Sequence, residues 1–360
     1  MAATYKRIHA NDTPRTNTKK PLSSHPSKAP SFYPGPSPNP FKVHAVALNP
    51  ADQKIQALGI MYAEDKYPII LGLGIAGEVV DVSDNVNGYQ SGDRVFFAGG
   101  TFENEYAGYQ EYTRVPADIV AKIPPNLSYS QAASLSVGFA TAAIGLYASH
   151  PIGLGLNPSI QPGIEDFKDK GVLVISASGS VGEYAYLAQT AIQLLRYLRF
   201  SSIIAYASST HFARLRSLGA THFVDRKKVS FSALPTIAQS ITPNPIIVVY
   251  DAFGSPEAQQ AGYDTLVEKG KLASVNRMTE PRGEGKTFIG VYGNVHVDRN
   301  RSFGRKMYEK LPKLLEDGVF VPNEIEVLKT GLEGIVDGLR RIKDNKTGGA
   351  KLVVHPQETS

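Results

Sequence analysis

Residues 171–182 carry the sequence GVLVISASGSVG, and this stretch decides the fold of the chain. Its first half, residues 171–176, is a nearly continuous apolar run, which is typical of a strand buried on both faces. Its second half is a run of small residues that leads into a helical pattern reaching residue 199. Small residues let the backbone turn sharply, and the unpaired N–H groups at a helix N-terminus attract an anion. The stretch therefore predicts a strand, a phosphate-binding turn and a helix.

The turn departs from the dinucleotide-binding pattern G-x-G-x-x-G at its first glycine, where Ala177 stands. The other residues of the turn are two glycines, two serines and one valine. We predict these five as cofactor-binding residues: Ser178, Gly179, Ser180, Val181 and Gly182. A tight turn between strand and helix that binds no ligand is the alternative interpretation.

Strand patterns alternate with helical patterns downstream of this turn. Further apolar strand candidates occupy residues 203–207, 223–224, 246–250 and 271–275. Strands that alternate with helices predict a parallel sheet with right-handed crossovers. We therefore expect a Rossmann domain, that is, a doubly wound parallel sheet of the α/β class.

The segment after residue 207 indicates which nicotinamide cofactor is bound. An acidic residue at the end of the second strand would bind the ribose hydroxyls of NAD, but the turn here contains no carboxylate. Hydroxyl groups and the nearby cation of Arg214 suit a 2′-phosphate, so we predict NADP(H) as the cofactor. The residues predicted to bind it here are Ser208, Ser209, Thr210 and Arg214. An ordinary polar turn at a helix N-cap is the alternative.

The chain before residue 130 has a different pattern. Short strand patterns separated by turn residues occupy residues 41–48, 75–82, 93–97 and 109–115, and they predict a small β-barrel. Residues 130–147 predict helices. After residue 290 we expect helices at 305–316 and 332–343, an extended piece at 324–328 and a strand at 351–354. Residues 1–40 are polar, basic and rich in proline, and they predict a disordered segment, with a mitochondrial presequence as the alternative.

Composition excludes several classes of function. The 360 residues include no cysteine, which rules out disulfides, thiol nucleophiles, Cys-based zinc sites and iron–sulfur clusters. A net charge of +5 without a dense basic block suits an anionic cofactor better than nucleic acid. No apolar run reaches the length of about 18 residues that a membrane helix needs, so we expect a cytoplasmic protein without a membrane partner. Spacing along the chain defines no Ser–His–Asp arrangement.

Several motifs taken together resemble the medium-chain dehydrogenase/reductase superfamily. They are VHAVALNPADQK (43–54), LGLGIAGEVV (71–80), SGDRVF (91–96) and SLGATHFVD (217–225). The resemblance implies a GroES-like β-barrel domain over residues 41–129, a Rossmann domain over 130–293 and a return to the GroES-like domain over 294–360. The segments YGNVH (292–296) and GGAKLVVHP (348–356) resemble its zinc-free branch of quinone reductases and trans-acting enoyl reductases.

The resemblance also decides the metal question by residue type. Zinc-containing members carry a cysteine where Asn49 stands and a His–Glu pair where Leu73 and Gly74 stand. Asparagine, leucine and glycine cannot assemble a tetrahedral zinc site, so we expect no metal.

For this branch, the resemblance implies NADPH-dependent hydride transfer to the activated C=C bond of an enone or enoyl thioester, or to a quinone. It implies Lys54 and Thr141 as catalytic residues, and Asn49 as a third candidate that otherwise shapes its loop. Lys54 would hold a thioester carbonyl or a cofactor phosphate, and a solvated lysine is the alternative. Asn294 and Lys351 are predicted as cofactor-binding residues. A carrier domain of a polyketide synthase is a candidate partner.

One departure from the family pattern bears on activity. About six residues near 183–188 stand as an insertion directly after the glycine turn, and at about 100° per residue they rotate the following helix face. An inactive or non-catalytic nucleotide-binding protein of the same fold is therefore the alternative function, and a zinc-independent alcohol dehydrogenase is a third.

Overall fold

The computed structural model describes residues 4–5, 27–28, 39–62, 67–83, 86–100, 103–163, 167–175, 185–276 and 285–359. The chain divides into two compact units. Unit 1 comprises Met1–Val137, Leu311–Glu316 and Pro322–Ser360, and unit 2 comprises Gly138–Lys310 and Asp317–Val321. The domain boundaries that we drew from the sequence stay predictions.

The secondary structure of the described residues begins with the elements that build most of unit 1. They are β1 (Thr4–Tyr5), β2 (Ser27–Lys28), β3 (Asn39–Ala47), α1 (Pro50–Leu58), β4 (Gly74–Val79), β5 (Arg94–Ala98), β6 (Tyr112–Val115), β7 (Ala121–Lys122) and α2 (Tyr129–Tyr147). Helix α2 contributes its first turns to unit 1 and the remainder to unit 2.

The elements that follow form unit 2 and then return to unit 1. They are β8 (Gly171–Ile175), α3 (Ala185–Tyr197), β9 (Ser202–Ala207), α4 (Phe212–Leu218), β10 (His222–Asp225), α5 (Leu234–Ser240), β11 (Ile246–Asp251), α6 (Pro256–Thr265), β12 (Lys271–Ser274), β13 (Thr287–Gly290), α7 (Asp298–Glu316), β14 (Ile325–Val327), α8 (Ile335–Lys343) and β15 (Lys351–Val354). No helix in the described part of the chain combines the length and the hydropathy that crossing a membrane requires.

The sheet of unit 1 is built around β3. In the described residues its strand order is β14-β15-β3-β4-β5-β7, and β6 also pairs with β3. Val43 of β3 is opposite Gly77 of β4, whereas Ala45 is opposite Ala76, so His44 is one extra residue in its strand. Such a β-bulge bends the strand and redirects the side chain of the extra residue.

The structure describes only a few positions of the N-terminal segment. Strands β1 and β2 pair antiparallel, and β3 begins at Asn39, which pairs with Val115 of β6. The prediction of a disordered segment over residues 1–40 stays a prediction, and backbone pairing is described only at these positions. The rest of that segment lies outside the described residues.

The sheet of unit 2 confirms the predicted Rossmann arrangement. Its strand order is β10-β9-β8-β11-β12-β13 and every pairing is parallel, which is the order 3-2-1-4-5-6 of the doubly wound dinucleotide-binding fold. Helices α3 and α6 pack on the central strands. The buried aliphatic residues of β8 and β11 form much of the core. The sequence did not reveal β13, a four-residue edge strand of mixed polarity.

Part of the predicted insertion is core helix. Helix α3 begins at Ala185, and Tyr186, Leu187 and Ala188 are buried. A Cβ at Gly138 would lie 2.9 Å from the ring of Tyr186, which shows how closely this segment packs on α2. Residues 183–184 lie outside the described residues.

The close approach of β3 and β4 generates a prediction about stability. A Cβ at Gly77 would lie 3.1 Å from the carbonyl carbon of Lys42 and 3.2 Å from Cα of Val43, and both are backbone atoms. We expect Gly77→Ala to lower the free energy of unfolding by about 1–3 kcal/mol, because the strands must move apart. Urea denaturation measures the loss.

The matched control is Gly318→Asn. Gly318 has φ +67 and, in the described structure, nothing within 4 Å of a Cβ, and asparagine tolerates this left-handed conformation. Its free energy of unfolding should change by less than about 0.5 kcal/mol. Equal stability of Gly77→Ala and the wild type would contradict the close approach.

Candidate active site

The motif Asn49–Lys54 forms the corner between β3 and helix α1. Asn49 is the N-cap, Pro50 begins the helix, and the backbone N–H of Asn49 donates to Asp52 Oδ2 at 2.9 Å. An acidic side chain at the third helical position that bonds back to the N-cap is half of a capping box, and it stabilises the helix start. Lys54 follows in the second turn and is half-buried.

Asp52 anchors this corner to two other loops of unit 1. Its Oδ1 accepts the backbone N–H of Gly72 at 3.0 Å, and its Oδ2 accepts the hydroxyl of Tyr109 at 3.1 Å. Burial raises the pKa of Asp52, while the hydrogen bonds from Gly72, Asn49 and Tyr109 act in the opposite direction. Burial also raises the pKa of Tyr109 well above its usual value, so this phenol stays protonated and donates.

Two predicted site residues face each other beside Asp52. Lys351 Nζ donates to Asn49 Oδ1 at 2.6 Å, and Asn49 Nδ2 donates to the carbonyl of Ala47 at 2.9 Å. Lys351 is only 4% exposed, and burial lowers its pKa to about 7 against the opposing charge of Asp52. The structure therefore brings Asn49 and Lys351 together in the interior of unit 1. Their predicted catalytic and cofactor-binding roles stay predictions.

Zinc-containing members of the resembled family bind their metal at the positions of Asn49, Leu73 and Gly74. The residues present there do not suit a metal ion. Lys351 Nζ donates to the Asn49 amide oxygen at 2.6 Å, so the oxygen that a metal would need there already accepts a hydrogen bond. Leu73 offers no donor atom, and a Cβ at Gly74 would lie 2.9 Å from the carbonyl oxygen of Ala133. The backbone of α2 thus occupies the space that a side chain at Gly74 would need.

Thr141 lies on the part of α2 that belongs to unit 2, against the loop after β13. A Cβ at Gly293 would lie 2.9 Å from both Cα and Cβ of Thr141, so only glycine permits this contact. The structure therefore places Thr141 beside the segment that carries Asn294, the second predicted site residue of this region.

The loop that carries Asn294 is fixed by a buried residue that the sequence did not reveal. Asn300 Nδ2 donates to the carbonyl of Tyr292 at 2.6 Å and to the carbonyl of Asn294 at 2.8 Å. Asn294 Oδ1 in turn accepts the backbone N–H of His296 at 2.8 Å. The helix predicted from the sequence begins at residue 305, so Asn300 lay outside it as one polar residue among several, which is why its role was missed.

The predicted phosphate turn lies between described segments. The placements of Ser178, Gly179, Ser180, Val181 and Gly182 lie outside the described residues. The strand that leads into the turn, β8, ends at Ile175, whose carbonyl accepts the N–H of Ala252 at 2.9 Å. Strands β8 and β11 are neighbours from which the strand order runs in opposite directions, and dinucleotides bind at such a switch point.

The turn after β9 carries the other predicted cofactor residues. Ser208 is buried, Ser209 and Thr210 are exposed, and Arg214 is half-buried on α4. Thr210 Oγ1 donates to Ser208 Oγ at 3.2 Å, which fixes the turn. These four residues share the carboxyl edge of the sheet.

A carboxylate that the sequence analysis did not consider lies at the same edge. Asp225 ends the neighbouring strand β10, and the backbone N–H of Lys227, followed by Ser209, lowers the pKa of this carboxyl. Arg226, Lys227 and Lys228 follow it directly, so the local charge at this edge is positive.

A second buried carboxylate organises the loop after β11. Asp251 accepts the backbone N–H of Phe253 at 3.0 Å and of Gly254 at 2.9 Å, and the hydroxyl of Ser274 at 2.8 Å. Burial raises the pKa of Asp251 to about 6, with these hydrogen bonds opposing. The sequence shows only an aspartate after an apolar strand and does not reveal this anchor.

The buried ammonium of Lys351 makes the free energy of unfolding depend on pH. Burial lowers the pKa of Lys351 from 10.5 to about 7. Between these values the unfolded chain binds more protons, so this residue makes the free energy of unfolding rise as the pH increases above about 7. We expect Lys351→Met to flatten this rise, measured by urea denaturation between about pH 7 and 9. The exposed Lys329, changed to Met, should keep the wild-type slope, and an unchanged slope in Lys351→Met would contradict the assignment.

Comparison with known proteins identifies relatives along most of the chain. The alcohol dehydrogenase GroES-like domain family matches residues 41–125. Dehydrogenase azaJ of Aspergillus niger is 30% identical over 87% of this chain and 90% of its own length. The trans-enoyl reductase RAP2 of Pyricularia oryzae is 29% identical over 89% and 92%. Dehydrogenase pigH of Monascus ruber is 38% identical over 55% of this chain, which spans about half, 53%, of that protein.

A solved structure supports the same fold. The quinone oxidoreductase from Coxiella burnetii superposes with a TM-score of 0.71 over 98% of this chain and 99% of that chain, at 23% sequence identity. The expected fold class, a GroES-like domain joined to a Rossmann sheet, is confirmed. Since azaJ is similar along 90% of its length, the chain belongs to the medium-chain dehydrogenase/reductase superfamily and is an oxidoreductase of that family.

Proposed function

We propose that this oxidoreductase is zinc-independent and uses NADPH to reduce an activated C=C bond or a quinone. The observation that carries the proposal is the contact of Lys351 with Asn49, which leaves an amide already hydrogen-bonded to an amine where a zinc ligand would be needed. Reduction of an enone, quinone or enoyl thioester needs no Lewis acid, because the substrate's own carbonyl accepts the developing charge. Names of relatives that include an enoyl reductase and a quinone oxidoreductase support this reaction class.

The carboxyl edge of the unit 2 sheet supports NADPH as the cofactor. When bound, NADPH supplies the hydride. The hydroxyls of Ser209 and Thr210 stand exposed at the end of β9, with Arg214 on the following helix. We propose that they bind the 2′-phosphate, and the basic run after Asp225 adds to the attraction for an anion.

Lys54 is the residue that we propose to hold the substrate. Its ammonium would donate a hydrogen bond to the carbonyl oxygen of an enone or thioester, where negative charge develops during reduction. Its place near the N-terminus of α1 adds the positive end of the helix dipole to the same charge. The hydrogen bonds that Asp52 accepts from Asn49, Gly72 and Tyr109 fix the start of the helix that carries Lys54.

Thr141 and Asn294 are the residues of unit 2 that we propose to contact the nicotinamide half of the cofactor. The proposal is supported by the place of both residues beside the loop at Gly293.

An enoyl thioester could be presented by the carrier domain of a polyketide synthase, which makes such a domain the proposed partner.

Cofactor binding is the first test. We expect NADPH to bind purified full-length protein at least tenfold more tightly than NADH, measured by calorimetry, because only NADPH carries the 2′-phosphate. Arg214→Gln should remove most of this preference and leave NADH binding unchanged, since a charged hydrogen bond contributes about 1.5–3 kcal/mol. Arg216→Gln on the same helix, whose guanidinium stacks over Phe223, is the matched control. Equal affinities for the two cofactors would contradict the NADPH assignment.

Substrate reduction is the second test. We expect Lys54→Ala to lower kcat/KM for a crotonyl or quinone substrate by tenfold or more, about 1.4 kcal/mol, with the dissociation constant of NADPH little changed. Gln56→Ala, on the same helix two residues away, should keep the wild-type kcat/KM. Binding of NADPH without turnover of any enone, quinone or enoyl thioester would instead favour a non-catalytic nucleotide-binding protein.

A further inference from the structure

Unit 1 also contains a row of three polar side chains that the proposed reductase function does not use. Ser130 Oγ lies 2.8 Å from His355 Nε2, and His355 Nδ1 lies 2.8 Å from Glu358 Oε1. Ser130 is the second residue of α2, whereas His355 and Glu358 follow the last strand, β15. The first two residues are 225 positions apart in the sequence, which is why spacing alone did not define them.

The hydrogen bonds determine where the imidazole carries its proton. The carboxylate of Glu358 only accepts hydrogen bonds, so His355 Nδ1 carries the hydrogen of this contact. Nε2 then has a lone pair and accepts the hydroxyl hydrogen of Ser130. A serine bonded to a histidine that a carboxylate holds in one tautomer is the arrangement of an activated nucleophile.

The position of Ser130 in its helix supplies a place for an oxyanion. Ser128 caps α2, since its Oγ accepts the N–H of Gln131 at 3.2 Å and its carbonyl accepts the N–H of Ala132 at 3.0 Å. As first-turn residues, Tyr129 and Ser130 have no carbonyl one turn earlier in α2 to accept their backbone N–H groups, and no other backbone acceptor is described for them. Two first-turn amides beside a serine nucleophile are suitable donors for a tetrahedral intermediate.

Neighbouring side chains fix the start of the helix. The ring of His44, the extra residue of the β3 bulge, stacks on Tyr129 at 4.5 Å between centroids. The guanidinium of Arg94 lies 4.7 Å from the same ring centroid and donates to the carbonyl of Leu127 at 2.7 Å. These contacts hold Tyr129, and with it the amide that precedes Ser130.

The small exposed fraction of Ser130 limits the size of the substrate that can reach it. The side chain of His355 is 25% exposed and that of Glu358 is 59% exposed, whereas Ser130 is 7% exposed. The row therefore reaches the surface of unit 1 with the serine innermost. A short acyl group suits this geometry better than a long one.

We propose that Ser130, His355 and Glu358 form a second catalytic site, which hydrolyses small carboxylic esters. Ser130 Oγ bonds to the ester carbonyl carbon as its proton passes to His355 Nε2. The bond between that carbon and the alcohol oxygen breaks, and the alcohol leaves with the proton. Water then gives a proton to Nε2 and its hydroxide to the acyl carbon, and the acid is released as the proton returns to Ser130. No oxidation state changes.

A covalent probe tests the nucleophile directly. We expect a fluorophosphonate to label full-length protein once, and mass spectrometry of the digest should place the adduct on Ser130. Ser130→Ala should abolish the adduct, and His355→Gln should slow labelling by about a hundredfold, the usual effect of removing a general base. Glu358→Gln should slow it by about tenfold or less, because that carboxylate is exposed to water. Hydrolysis of p-nitrophenyl acetate should fall in the same order.

The matched control is Ser134→Ala, one turn further along α2, where the hydroxyl bonds only to the carbonyl of Gln131 in the described structure. It should be labelled and hydrolyse the ester like the wild type. Wild-type protein with a cooperative thermal unfolding transition but without an adduct at Ser130 would overturn the proposal. An adduct and hydrolysis that persist unchanged in His355→Gln would also overturn it. These outcomes do not depend on NADPH or on reductase activity.

Discussion

The buried carboxylate of Asp52 is the interaction on which the proposed substrate side of the molecule depends. It joins the corner before α1, the approach to β4 and the loop that carries Tyr109. A carboxylate without water is tolerated only where donors replace the solvent, and here backbone and phenol donors do so. The charge of Lys351, contributed by β15, lies in the same cluster. The orientation of Lys54 therefore depends on chain segments that are far apart in sequence.

Buried polar side chains also hold the loops at the carboxyl edge of the unit 2 sheet. Asp251 holds the loop after β11 through two backbone N–H groups and Ser274, and Asn300 holds the loop after β13 through two carbonyls. Loops at the carboxyl ends of parallel strands form the ligand-binding edge of such folds. A buried polar anchor restricts the conformations of these loops before any ligand binds, which lowers the entropic cost of binding.

The sequence predicted the fold best where a single local pattern was enough to identify an element. The apolar run of β8 and the alternation of strands and helices predicted the parallel sheet, because two-sided burial requires continuous apolar strands. Edge strand β13, with polar as well as apolar residues, gave no such pattern. The contacts of Asp251 with Ser274 and of His355 with Ser130 arise from tertiary packing, which no local spacing records. Lys351 illustrates the same limit, since no local pattern shows that its amine donates to Asn49.

Strand β3 pairs with β4 and β6, which are near in sequence, and with β15, which follows the whole of unit 2. During synthesis on the ribosome, the β15 side of β3 has no partner until the end of the described chain has emerged. The nascent protein must therefore keep an apolar strand edge exposed while unit 2 is translated and folds. An unpaired edge of this kind promotes aggregation, so the order of the strands exposes the unfinished chain to that hazard until β15 is made.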